Sequence, residues 1–463
     1  MFYRIFAVGA LAVLLSAHEP ASAQTASPPA PGVTSQQVQA LLERLSAQDA
    51  RIQQLESKVQ QLSAATPSAA NAPEAIPVSN LVAPAAPPAG LNTGSQPDSQ
   101  MDLGGHSMDL PGGGPTLRIR GFFDFNFGVG SIANALVYPI SDGGCGICGN
   151  PVTPAHTAFQ AGEFDLLFTS RISDHLNFLA EVVMGPSATN LFGLDIERYQ
   201  LTYRKNSWFS ASMGRFHTSI GYYNTAYHHG NWFATAEGRP IMYLFEDSGG
   251  ILPVHMVGIT FTGEVPHTER VHLNWVAEMG NGNTSTLPNV EAVQNFYSDR
   301  NYKATNVAAY IRPEFLQGLQ IGGSWYHDGL NPSQGVPPVA LAEVRQNVER
   351  AYIVYFESKW EFMNEAVLMS NHIAGTANSF MSRMGYTQLA RKFGIYQPYF
   401  RYQYVNDAVN DPVNLLQGKY YGPSIGMRID LFDYAALKLQ FNHLYQSSQL
   451  AGNGFNTQLA FTF

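Results

Sequence analysis

After residue 25 this 463-residue chain has no long apolar run. Nothing approaches the ~20 consecutive apolar residues that a membrane-crossing helix needs. Charge is scarce: only 13% of residues are Asp, Glu, Lys or Arg, about half the usual ~25%. The net charge of −9 leaves no basic field for nucleic acid. Cysteine is limited to Cys145 and Cys148. No catalytic constellation stands out either: His-Glu-x-x-His and a phosphate-cradling glycine loop are missing, and no Ser/His or acid pair is singled out by spacing. Polytopic helical, nucleic-acid-binding and enzymatic readings all weaken together. Aromatics, at 12%, and 42 glycines are plentiful. A transmembrane β-barrel stays open, because its alternating strands never build a long apolar run.

The N-terminus has its own texture. Residues 1–23 combine Arg4, an apolar core from Ile5 to Ala17 and Ala21-Ser22-Ala23 ahead of Gln24, the layout of a cleaved signal peptide. A membrane anchor is disfavoured by the short core and by Pro20. Residues 24–33 read as disordered. Over 34–63, Val38, Leu41, Leu45, Gln48, Ile52, Leu55, Val59 and Leu62 recur at alternating steps of three and four. They form one seam of a periplasmic coiled-coil helix, capped by Thr34 or Ser35 and stopped by Pro67. A lone helix of this length is marginal in water, so the seam argues for self-association. Residues 64–115, rich in Pro, Ala and Gly, read as a flexible linker spanning about 40 Å.

From Thr116 to Phe463 the pattern becomes period two. Phe455, Thr457, Leu459, Phe461 and Phe463 share one face, and Asn456, Gln458, Ala460 and Thr462 the other. Leu437, Leu439, Phe441 and Tyr445 oppose Lys438, Gln440 and Asn442, while Tyr396, Phe400, Tyr402 and Tyr404 oppose Gln397, Arg401 and Gln403. Such alternation suits lipid outside and water inside. Short turns near 172–176, 205–207, 265–270, 313–318, 358–361, 392–394 and 432–434 separate about 16 strands. Between the turns lie longer segments near 130–160, 185–194, 217–253, 280–302, 328–347, 371–379, 406–418 and 446–453. Strict short–long alternation is the connection pattern of outer-membrane barrels, and a soluble sandwich would mix its connection lengths. The fold class expected is an all-β, roughly 16-stranded antiparallel transmembrane barrel, with the stalk in the periplasm of a Gram-negative-type bacterium.

Signal peptide, short coiled coil, Pro/Ala tether, repeated strands and terminal Phe463 together resemble trimeric outer-membrane porins of the phosphate-selective and DcaP-like types. The stretch 214–232 (GRFHTSIGYYNTAYHHGNW) is also similar to a segment of proteins of this general kind. The resemblance implies a homotrimer in outer-membrane lipid, passive diffusion of small hydrophilic solutes, no cofactor, and Phe463 as part of the signal read by the barrel-assembly machinery. Third loops in such porins fold inward. The matching loop here, near 217–253, carries Tyr222, Tyr223, Tyr227, His228, His229, Trp232, Arg239, Glu246 and Asp247 and is the constriction candidate; a surface cap is the alternative.

Inward-facing basic candidates are Arg118, Arg120, Arg171, Arg198, Arg204, Arg312, Arg401, Arg428 and Lys438. Acidic ones are Asp124, Glu163, Asp165, Glu181, Glu264, Glu278, Glu365 and Asp430. Barrel closure would set Arg118, Arg120, Arg428 and Lys438 on one wall, attracting anionic or zwitterionic solutes. An unselective or mildly cation-preferring pore is the competing expectation, and no dense Arg/Lys array marks phosphate. His217, His228, His229 and His255 match no compact zinc spacing. Cys145 and Cys148 form CGIC between glycines, and a small loop disulfide is the plainer reading in an oxidising location. A rival function is an envelope tether, in which the barrel is an anchor and the coiled coil binds peptidoglycan or a periplasmic partner. An energised receptor would need a folded plug that 64–115 cannot supply.

Overall fold

In a computed structural model the chain divides into residues 1–83 and 84–463. The structure describes residues 106–108, 116–130, 158–186, 192–227, 230–245, 250–283, 298, 300–331, 333–334, 339–340, 342–413, 418–446 and 449–463. The signal peptide, the coiled-coil seam, Cys145, Cys148, His228, His229, Glu246 and Asp247 all lie outside the described residues. Among the described residues no helix is long and apolar enough to cross a membrane.

Sixteen strands close into one antiparallel barrel. They are β1 Thr116–Gly130, β2 Ala158–Arg171, β3 Leu176–Pro186, β4 Phe192–Asn206, β5 Phe209–His217 and β6 His255–Glu264. Next come β7 Leu273–Asn281, β8 Ala304–Ile311, β9 Leu319–Leu330, β10 Val344–Phe356 and β11 Trp360–Ile373. The last five are β12 Ser379–Arg391, β13 Tyr396–Asp407, β14 Gly418–Phe432, β15 Ala435–Gln446 and β16 Gln449–Thr462. Each pairs with its sequence neighbours, and β16 closes on β1 from Thr462↔Phe122 to Gly454↔Gly130. Phe463 extends the closure: its N–H donates to Gly121 O and its carbonyl accepts from Gly121 N. The Phe463 ring lies over bare Gly121, where a Cβ would stand 2.3 Å from it and push the ring aside.

The period-two sequence pattern is what sorts the two faces. In β13 Phe400, Tyr402 and Tyr404 are exposed outward while Arg401 and Gln403 are buried inward. Exposed aromatics form a belt at the short-turn end, with Trp208, Phe315, Trp360, Phe393, Tyr396, Phe432, Tyr434 and Phe463. A second set, Tyr302, Trp325, Tyr404 and Tyr445, is exposed toward the long-loop end. Two details depart from the sequence reading. His106–Met108, inside the segment read as linker, forms a short strand paired with Leu117–Ile119, so that segment's end joins the sheet edge below β16. At the final long connection β15 runs to Gln446 and pairs there with Gln449 of β16, so 449–453, read as loop, belongs to the ladder.

Neighbouring turns at the short-turn end are tied by His272, which follows β6 and holds φ at 42°. Its Nδ1 lies 2.8 Å from Glu264 and its Nε2 3.4 Å from Glu314, in the turn after β8. The hydrogen bond to Glu264, joined by the charges of Glu264 and Glu314, raises the imidazole pKa above its ordinary value. A raised folded-state pKa stabilises fully below the unfolded value of about 6.5 and fades as pH climbs through the raised one. Thermal melts of the folded barrel should therefore show a small loss of stability as pH rises above about 6.5, and His272→Gln should remove that component.

Candidate functional site: a loop folded into the barrel

Connections normally run over a protein's surface, because buried backbone needs hydrogen-bond partners. The segment 218–254, between β5 and β6, runs inward, and the barrel wall supplies those partners. Carboxylates take the N–H groups of its first part. On β7, Glu278 accepts from Ser219 N at 3.0 Å and Ser219 Oγ at 2.8 Å. On β11, Glu365 accepts from Tyr222 N at 3.0 Å and Tyr223 N at 2.8 Å, at the start of the one-turn helix α1 (Tyr222–Ala226). The same carboxylate accepts the hydroxyls of Tyr243, at 2.6 Å, and Tyr386, at 2.8 Å.

Cations take the carbonyls of the next part. Lys438 on β15 donates to Asn231 O. Arg428 on β14 donates to Trp232 O at 2.5 Å and Ala234 O at 3.0 Å. Arg401 on β13 donates to Gly238 O at 2.9 Å. Between these, Thr235 Oγ1 donates to Glu361 at 2.5 Å, and Ile241 N to Gln403 Oε1 at 2.8 Å. Asn231 reaches Asp124 on β1 at 2.9 Å. The loop is thus fastened across the lumen to strands from β7 round to β1.

Its body is apolar. Ile220, Tyr243, Leu252 and Val254 have no solvent exposure, and they share one core with Met363, Val367, Met369 and Met384 of the inner wall. The runs Ile241–Phe245 and Ile251–Val254 bury themselves. Glu237 is buried with them. Burial pushes its carboxyl up to about 8, with Asp124 adding to the rise and Lys438 and Asn456 opposing it, so it is neutral near pH 7.

The sequence-identified residues fall into three groups. Among the loop residues, Tyr222 and Tyr223 lie in the core and Tyr227 packs against it. Trp232 sits between Arg120 and Arg428, whose guanidinium carbons are 5.7 and 5.8 Å from its ring. Arg239 lies 3.6 Å over Phe245 and donates to Tyr243 O. Among the wall residues, Asp124, Glu278, Arg401, Arg428 and Lys438 are buried and hold the loop, as described; they do not line open water. Of the four residues expected to form a basic wall, Arg428 and Lys438 are register partners that donate to the loop carbonyls and also to Asp430 at 2.7 Å and Gln458 at 2.9 Å, while half-buried Arg120 bonds Thr462 at 2.9 Å and Arg118 stands further toward the short-turn end.

The third group lies on β2 to β4. Arg198 pairs with Glu181 at 2.5 Å, Asp165 is buried, and Glu163 and Arg204 are half-buried. Arg171 is an exposed rim residue paired with Asp174 at 2.8 Å, so it does not line the interior. Of the tyrosines and glutamines that complete the fastening, Gln403 stood on the polar face read from the sequence, while Tyr386, Gln388 and Tyr399 drew no attention there; their inward parity was the available signal. One Gly-x-Ser-x-Gly pattern, Gly422 to Gly426, lies mid-strand in β14, where Ser424 bonds Asn442 at 2.6 Å. It is not the strand-to-helix elbow of a hydrolase.

No protein-family model and no curated protein sequence matches the chain. Among solved structures it is similar to an anion-selective porin from Comamonas acidovorans, at 9% identity and TM-score 0.50, covering 75% of this chain and 100% of that one. OmpT, an outer membrane protein of Vibrio cholerae, in its in-vitro folded trimer form, aligns at 10% identity and TM-score 0.49 over 76% of this chain and 100% of its own. The first of these likenesses shows the closed-barrel fold.

Glu365 is the densest anchor, with four donors on one buried carboxylate. Glu365→Gln should lower unfolding stability by about 3 kcal/mol, the cost of stranding buried donors at a charged acceptor. Denaturant unfolding in detergent measures it, with the outward, exposed Glu349→Gln expected within about 0.5 kcal/mol of wild type.

Proposed function

We propose that this chain is an outer-membrane porin: a membrane-spanning barrel for passive diffusion of small hydrophilic solutes, narrowed by the loop 218–254. The observation that carries the reading is the closed barrel with an apolar outer face between aromatic belts and a polar, charged inner face, the arrangement a bilayer and an aqueous lumen demand. The short turns belong in the periplasm with the N-terminal stalk, and Phe463 at the closing seam fits an assembly signal. A homotrimer remains the proposed assembly, with the coiled coil clamping it.

Selectivity is proposed to be weaker than a free basic wall would give. Arg428 and Lys438 hold carbonyls, and the remaining charges on β1 to β4 are of both signs, which suits neutral or zwitterionic solutes better than phosphate. The apolar packing of the loop also favours a second reading, an anchored tether whose barrel conducts little.

Planar-bilayer recording across a KCl gradient separates the two. A porin gives stable steps that survive deletion of 24–115; well-folded protein without steps supports the tether. The double variant Arg428→Gln/Lys438→Gln should raise conductance severalfold by freeing the loop, with little change in reversal potential. Unchanged conductance with a cation-ward shift would restore the basic wall.

A further inference from the structure

The barrel sorts its charges between two faces at the long-loop end of β12 to β14. Carboxylates turn inward there. Asp407 is buried and accepts from Ser382 Oγ at 2.5 Å, and Asp411, just past β13, is buried and accepts from Asn371 Nδ2 at 2.7 Å. Cations of the same strands go outward. Arg383 on β12 is the register partner of Asn406 on β13, and Asn406 of Lys419 on β14. Both cations are exposed on the outer face, with half-buried Asn406 between them.

A row of tyrosines underlies these three residues. Tyr404 and Tyr421 stand two residues nearer the short-turn end on β13 and β14, are register partners, and have rings 6.5 Å apart. Tyr421 in turn stacks on Tyr445 of β15 at 5.0 Å. Outward tyrosines mark the level at which hydrocarbon gives way to headgroups. A strand spacing of about 4.8 Å sets the backbones of Arg383 and Lys419 about 10 Å apart. Two long side chains at that separation can close on one anionic group above the tyrosines. The outward carboxylate in this row, Glu349 on β10, is two strands from Arg383 and four from Lys419. On the far side of the barrel, the long-loop ends of β2 and β4 present exposed Phe159 and Leu194 instead.

We propose that Arg383, Asn406 and Lys419 form a docking site for the phosphate of a lipid headgroup in the outer leaflet, with the tyrosine row seating the start of its acyl chains. The arginine fork matches phosphate oxygens, the lysine adds a mobile ammonium, and the Asn406 amide offers a further donor. Cations at a membrane surface each add to the hold on an anionic headgroup. A solute in the lumen is not the ligand, because the sheet stands between these outward side chains and the inner face.

The inference takes its leaflet from the outer-membrane reading, and its test does not use conductance. Native mass spectrometry of the full chain in detergent, supplied with a diphosphorylated saccharolipid, should show retained lipid. The dephosphorylated form of that lipid should be retained about tenfold less or weaker still. Arg383→Gln or Lys419→Gln alone should lower retention of the phosphorylated lipid about fivefold, and the two together more than about tenfold. The swap Arg383→Lys/Lys419→Arg should keep most of it. Arg171→Gln, at an exposed cation of the opposite end, should match wild type. Circular dichroism melts should be alike for all these variants, since each changed side chain is exposed.

Equal retention of the two lipid forms, or retention untouched in the double glutamine variant, overturns the site. Bilayer steps from a protein that holds no phosphorylated lipid overturn the site and keep the porin reading. Retention that depends on Arg383 and Lys419 in a protein without steps keeps the site and removes that reading.

Discussion

A long loop can lie inside a barrel only if its backbone finds hydrogen bonds there, and this barrel meets that condition with charge. Glu278 and Glu365 receive N–H groups at 219–223, and Arg401, Arg428 and Lys438 give protons to carbonyls at 231–238. Charge-assisted bonds of this kind are roughly twice as strong as neutral ones. They also lower the cost of burying the charges, since every ion that loses water gains a peptide dipole. The apolar runs of the loop then complete the filling by the ordinary hydrophobic effect. Neither part suffices alone: the apolar body without anchors would strand its peptide groups, and the charges without a loop would need water.

The arrangement decides which charges are left for solutes. A residue's inward parity says that it faces the lumen, but not whether the lumen is open there. On β13 to β15 the cations are covered by the loop they hold. On β2 to β4, Glu163, Arg198 and Arg204 keep part of their surface. The inner-face charge left partly uncovered among the described residues therefore lies on β2 to β4, while the charges on β13 to β15 hold the loop.

The distinction explains what was legible in the sequence. The strands were, because alternation is local: Phe455, Leu459 and Phe461 against Asn456 and Gln458 declare both faces within ten residues. The inward position of the loop was suggested only by resemblance to porins. Its fastening was invisible, since Glu365 meets Tyr222 across 143 residues of chain and Arg428 meets Trp232 across 196. No periodicity couples positions so far apart. Arg428 and Lys438 were read as pore charges because, from the strand alone, a cation aimed at water and a cation aimed at a carbonyl look the same. Tyr222, Tyr223 and Tyr243 bury their rings, and the backbone N–H groups of the first two and the hydroxyl of the third all reach Glu365.

The fastening and the neck divide the labour of holding the loop. The far anchors are ionisable side chains gripping neutral peptide groups. The neck is different. There the tie is made by backbone and one amide: Thr218 N donates to Val254 O, and Asn224 Nδ2 donates to both Thr218 O and Val254 O. These neutral bonds fix where β5 hands the chain to the lumen and β6 takes it back, while the charged anchors fix how far the loop reaches across.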